Sequence, residues 1–225
     1  MTTDDIFKFY SNFNPNISKS TVNWRIYHLV RTGIIYRKAR GKFSFGQFLK
    51  FEPQITTFQK KTYKTIQEKF PYVKFCVWNS NSIKEFTHHQ INLDFTIIEI
   101  ERSALDSIYL QLRDVFSPIY LKPTPSDLNN ISASSKPSWI ILPLITEAPI
   151  QYIDKIKTIT VEKLLVDIFS DEIWESLKGY EMVRIFENAF GKYSINTSKL
   201  LRYAFRKGKK EEIMNFLSTN KLAIK

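Results

Sequence analysis

The chain has 225 residues, 43% hydrophobic and 24% charged, with only six glycines; this excludes a disordered or fibrous chain and supplies one sizeable domain plus a small appended one. Lys and Arg outnumber Asp and Glu by 33 to 22, a net charge of +11, which favours a polyanionic partner over a pocket for acidic substrates. The single cysteine, Cys76, excludes a disulfide framework and a thiol-rich metal site and fits a reducing cytoplasm.

The opening residues "MTTDDIFKFY" lack a basic stretch followed by an apolar one, and no run approaches the ~18 apolar residues that a membrane span needs. A cytoplasmic protein is therefore expected, and the sequons at Asn16, Asn130 and Asn196 carry no weight. Residues 1–50 hold nine Lys and Arg against Asp4 and Asp5 alone, so the positive charge is concentrated there. "DDIFKFYSNF" predicts a first amphipathic helix through Ile6, Phe7 and Tyr10. In "SKSTVNWRIYHLVRTG", Val22, Ile26, Leu29 and Val30 recur at helical spacing, while Lys19, Asn23, Trp24, Tyr27 and Arg31 lie largely off that stripe. Ser18 or Ser20 can cap this second helix, because a side-chain oxygen accepts from an unpaired N–H of the first turn, and Gly33 can end it in a left-handed conformation. "IIYRK" and "KFSF" then flank Ala39-Arg40-Gly41, consistent with a hairpin.

Helix, turn, helix and basic hairpin is the order of a winged helix-turn-helix over residues 1–46. A helix fits the major groove of B-DNA and a cationic hairpin can follow phosphates. Lys19, Ser20, Asn23 and Trp24 are thus the candidate groove residues, and Arg37, Lys38, Arg40 and Lys42 the candidate phosphate contacts. Trp24 has an alternative role, packing against the domain that follows.

"GQFLKFEPQ", residues 46–54, marks a boundary. Beyond it, apolar spacing in "ITTFQKKTYKTIQEKF" predicts a helix ended by Pro71. The strand-like runs "YVKFCVW", "NLDFTIIEI", "DVFSPIYL" and "SWIILPLI" alternate with the helix-like "SIKEFTHH" and "ERSALDSIYLQLRD", the pattern of an α/β domain over residues 47–159. From Thr160 every run has spacing of three and four, so residues 160–225 are expected as a helical subdomain packed on that domain. The expected fold class is α/β (α+β).

These runs carry a resemblance. "STVNWRIYHLVRTGIIYRKARGKFSF" resembles the N-terminal winged helix of the AbiEi-like antitoxins, the transcription-regulating halves of type IV (abortive infection) toxin–antitoxin pairs. "VWNSNSIKEFTHHQ", "TIIEIERSALDSIYLQLRD", "TVEKLLVDIF" and "FENAFGKYSINTSKLLRYAFRKGKKEEI" resemble the C-terminal domain of a related bacterial group, so the likeness covers most of residues 15–217. It implies a DNA-binding protein that represses its own promoter and counteracts a nucleotidyltransferase toxin, without an assumed stable complex.

Residues suited to other chemistries are also present. Asp94, Glu99 and Glu101 distantly resemble the Asp…Glu-x-Lys arrangement of a Mg²⁺-dependent nuclease, but its last position is Glu101, followed by Arg102, and not a lysine, and Asp94 and Glu99, five apart in a strand, point to opposite faces. Adjacent His88 and His89 diverge on a helix and do not favour one metal. Cys76 lies in an apolar run without a nearby His or Asn, where a thiol is inert. No phosphate-binding glycine loop is present, so neither metal nor cofactor is expected, nor an enzyme. Lys199, Arg202, Arg206 and Lys207 form a second basic cluster, readable as a nucleic-acid contact, a protein-docking face or a solvated surface.

Overall fold

The computed structural model describes residues 1–32, 34–45, 49–87, 94–134 and 136–222. Helix α1 (Thr3–Phe13) begins with a capping box in which the Thr2 side chain accepts from the Asp5 N–H and the Asp5 carboxylate accepts from the Thr2 N–H. Helix α2 (Lys19–Arg31) is capped by Ser18, whose hydroxyl accepts from the Thr21 N–H at 3.1 Å. Of the two candidate caps, Ser18 fills the role; Gly33 lies outside the described residues.

Strands β1 (Ile35–Ala39) and β2 (Lys42–Phe45) form the antiparallel hairpin, pairing Ile35 with Phe45 and Arg37 with Phe43. Its turn needs Gly41, which has φ +70° and whose carbonyl accepts from the Thr3 N–H at 2.9 Å; a side chain there would strain the backbone and crowd Thr3. Ile6, Ile17, Val22, Ile26, Ile35 and Phe43 close a small core between α1, α2 and the hairpin, each contributing about 1.5–3 kcal/mol by leaving water.

Leu49 links this module to the body by backbone pairing with Lys192 and Ser194. Phe51 is buried against Phe86 and Tyr193. In the body, α3 (Thr57–Lys69) precedes a four-stranded sheet of β3 (Phe75–Asn79), β4 (Phe95–Glu101), β5 (Ile119–Leu121) and β6 (Ser138–Leu144), ordered β3-β4-β6-β5. β3 runs antiparallel to β4, whereas β4, β6 and β5 are mutually parallel. The α4 helix (Leu105–Leu112) follows β4, and α5 (Pro125–Ala133) leads from β5 into β6. A hairpin of β7 (Ile150–Ile153) and β8 (Ile156–Ile159) precedes α6 (Val161–Ser170), α7 (Tyr180–Lys192), α8 (Thr197–Arg206) and α9 (Lys210–Thr219).

Strand alternation assigns the two faces of the sheet. Val77, Ile98, Ile100 and Ile141 pack with Tyr63 and Ile66 of α3 and Leu105, Ile108 and Leu112 of α4. Trp78, Phe95, Ile97 and Ile140 pack on the other face with α6 to α9. The class is α/β (α+β), as expected, with the C-terminal helices sharing the sheet's core. Two local expectations change. The helix-like "SIKEFTHH" overlaps a 3₁₀ turn, Ser80–Phe86, that takes in its first five residues and is opened by the Asn79 side chain accepting from the Asn81 N–H at 2.8 Å; its His88 and His89 lie outside the described residues. Helix α5 and the β7–β8 hairpin are additional elements. Among the described residues no helix is long and apolar enough to cross a membrane.

Candidate nucleic-acid interface

With Val22 and Ile26 buried, the opposite face of α2 presents Lys19, Ser20, Asn23, Trp24, Tyr27, His28 and Arg31 to solvent. Ser20 shares a 2.7 Å hydroxyl hydrogen bond with Ser18. Trp24 is 65% exposed and stacks on His28 with ring centroids 5.7 Å apart and planes within 6°. The alternative role for Trp24, packing against the body, is therefore corrected: spacing of four makes His28 its neighbour on the same helix.

Arg37, Arg40 and Lys42 are exposed on the hairpin. The Arg37 guanidinium lies 5.3 Å from the centre of the Phe43 ring, which holds its stem against β2. The side chain of Lys38 lies outside the described residues. Arg25, unforeseen in the sequence, covers the Tyr10 ring at 4.6 Å and ties α2 to α1. Among the described residues none of Lys19, Arg25, Arg31, Arg37, Arg40 and Lys42 has a carboxylate within ion-pair distance. Both faces thus carry positive charge that no nearby carboxylate offsets.

The C-terminal cluster, readable as a second basic surface, differs in having carboxylates beside most of its cations. Arg206 pairs with Glu147, Lys199 approaches Glu162 at 3.8 Å, and Lys207 turns inward to Asp167 and Asp171 with only 11% of its side chain exposed. Arg202 stays exposed, but its field falls on Glu147, whose carboxyl is held below the usual range by the Arg206 hydrogen bond and charge first and by Arg202 after them.

The carboxylates weighed as a nuclease site do not converge. Asp94 accepts from Asn79 and Asn81, at 3.2 and 3.1 Å, and Glu101 accepts from the Lys74 N–H at 3.0 Å. Among the described residues no group of three His, Cys, Asp or Glu side chains is placed to hold a metal ion. Glu99 instead points into the sheet face covered by α6, on the side of Phe95 and Ile97.

There it joins a buried ionic network that the sequence reading missed. Glu99 Oε1 accepts from Trp78 Nε1 at 2.7 Å and from Lys163 Nζ at 2.6 Å. Lys163, fully buried, also donates to Asp167. Asp167 further accepts from the Tyr203 hydroxyl at 2.8 Å and from Lys207 Nζ at 3.0 Å. Burial alone would strip the charge from Lys163, but Asp167 and Glu99 outweigh it and hold the ammonium well above its ordinary pKa. Burial raises the Glu99 carboxyl, against the opposing pull of Lys163. Burial and the neighbouring Asp167 push Asp171 up to about 6, with Lys207 opposing. The signal available in the sequence was polarity inside apolar runs: "FTIIEIE" carries Glu99, and "VEKLLVDIF" places Lys163 and Asp167 four apart on a helix buried from Val161 to Ile168.

A family model described as a family of unknown function (DUF6577) matches residues 21–223, from the second residue pair of α2 through the hairpin and the body. No curated protein matches the chain.

Proposed function

We propose that this chain, which belongs to the DUF6577 family of unknown function, is a transcriptional regulator that binds double-stranded DNA, with α2 in the major groove and the β1–β2 hairpin along the phosphates. The observation that carries the reading is charge without internal compensation. The exposed cations of α2 and the hairpin lack carboxylate partners among the described residues, whereas those of the C-terminal helices are largely paired. Asn23, whose side-chain amide can both donate and accept, is the residue for base edges, with Lys19 beside it in the groove; Arg37, Arg40 and Lys42 supply phosphate contacts.

The narrower part of the proposal is an AbiEi-like antitoxin that represses its own promoter and opposes a nucleotidyltransferase toxin. Its support is the motif likeness in α2, the hairpin and the C-terminal runs. Expression of the chain beside its neighbouring genes tests that role.

DNA binding is tested by fluorescence anisotropy with the duplex upstream of the chain's own gene and a scrambled duplex of equal composition. A preference on the order of 10³ for the native duplex is expected. The triple variant Arg37→Ala, Arg40→Ala, Lys42→Ala should flatten the salt slope by about 2.7, at about 0.9 per phosphate contact, and weaken binding about 500-fold at 0.1 M salt for both duplexes. Unchanged affinity and slope would refute the proposed docking.

A further inference from the structure

A second site lies away from the DNA-binding module, where the carboxyl ends of three parallel strands meet the C-terminal helices. Glu99 stands near the end of β4, Lys122 directly after β5, and Leu142 and Pro143 near the end of β6, around a cavity of about 330 Å³. In open α/β sheets this end is where ligands bind, and the volume suits a small molecule. Lys122 occupies a left-handed backbone conformation, φ 45°, pinned by its N–H donating to the Ile141 carbonyl at 2.9 Å. A non-glycine residue held there is strain maintained by its surroundings.

Carboxylates lining the cavity keep oxygens without a donor among the described residues. Glu99 is 4% exposed, yet among the described residues only its Oε1 receives donors. Asp171 accepts from Lys207 through Oδ1 alone, and Glu172, also lining the cavity, has no donor among them. Four carboxylates (Glu99, Asp167, Asp171, Glu172) face three ammonium groups (Lys122, Lys163, Lys207) in the lining and directly behind it, leaving one negative charge over.

We propose that this cavity binds a small organic cation, an ammonium- or guanidinium-bearing molecule that donates to Glu99 and Asp171. Lys122, without a carboxylate partner among the described residues, leaves a position for an acceptor on the same molecule. The site is independent of the DNA-binding reading.

Isothermal titration of the full chain at pH 7.5 tests it, with methylguanidinium as probe and methylurea as its neutral isostere. Saturable methylguanidinium binding at least tenfold tighter than methylurea is expected, weakened at least tenfold by Asp171→Asn and unchanged by Arg40→Ala on the hairpin. Glu172→Gln, at the more accessible carboxylate, should weaken it several-fold and serves if Asp171→Asn does not fold. No saturable binding, equal binding of methylurea, or full affinity in the folded carboxylate variants would overturn the proposal.

Discussion

Replacing Lys163 with methionine isolates the buried network from every other feature of the body. Methionine has nearly the volume of the lysine stem, so packing among Trp78, Tyr203 and the α6 neighbours is kept while the charge is lost. Asp167 retains Tyr203 and Lys207, but Glu99 retains only the Trp78 indole N–H. An uncompensated buried charge costs about 3–5 kcal/mol. In a chain of 225 residues that lowers the melting temperature by about 6–20 °C, at 2–4 °C per kcal/mol.

The loss should also depend on pH, and its sign follows from Glu99. Without Lys163, burial raises the folded-state pKa of Glu99 further above its unfolded value, so the folded state binds the extra proton and stability falls as pH rises through that interval. The deficit should therefore be largest near pH 8 and shrink toward pH 5. Adding Glu99→Gln to Lys163→Met removes the orphan charge while keeping an acceptor for Trp78, and should restore at least about 1.5 kcal/mol at pH 7.5. Urea denaturation followed by circular dichroism at pH 5, 6.5 and 8 measures all three chains. A Lys163→Met protein as stable as the unmodified one at every pH would refute the ionised network.

Trp24→Ala should change stability by less than about 0.5 kcal/mol, because a surface side chain outside the core is removed, while weakening binding to the native duplex; a loss of 2 kcal/mol or more in urea denaturation would mean that the ring is covered. Asp171, pushed up to about 6 from an ordinary value of 3.8, contributes stability in its protonated form that is lost as pH rises between those values. Asp171→Asn should thus gain on the unmodified chain by about 1–3 kcal/mol from pH 4 to pH 7, and a constant difference in denaturation midpoint across that range would contradict the assignment. Cys76 is buried in β3, and burial pushes its thiol well above its ordinary pKa; it should resist a disulfide reagent in the native chain and react fully in guanidinium chloride, whereas rapid native reaction would place it at the surface.

Much of the fold was legible because the chemistry was local. Ser18 and the spacing of Val22 and Ile26 specify α2 within one stretch, and Gly41 marks a turn that only a left-handed residue completes. The β7–β8 hairpin escaped for the same reason in reverse: its turn uses Asp154 and Lys155 at φ 49° and 68°, so the left-handed positions carry neither glycine nor asparagine. Thr124, Pro125 and Asp127 do form a capping signal for α5, but the helix is short and lies between two apolar strands. The site residues divide along the same line. Exposure of Asn23 and Trp24 follows from helical period alone, whereas Glu99 meets Lys163 across 64 positions of sequence. Lys207 sits one residue beyond the Lys199-Arg202-Arg206 stripe, and that step of about 100° turns it from solvent to Asp167.

The distribution of the four tryptophans has an optical consequence. Trp78, Trp139 and Trp174 are 1%, 8% and 0% exposed, while Trp24 is 65% exposed on α2. Red-edge emission and its quenching by acrylamide therefore report on one face of one helix, against a blue-shifted background from the interior. A duplex seated on that helix would shield the red component alone. Occupation of the cavity beside Glu99 would instead alter the blue component through the Trp78 indole bonded to it, so the native chain carries two spectrally separable reporters for its two proposed ligands.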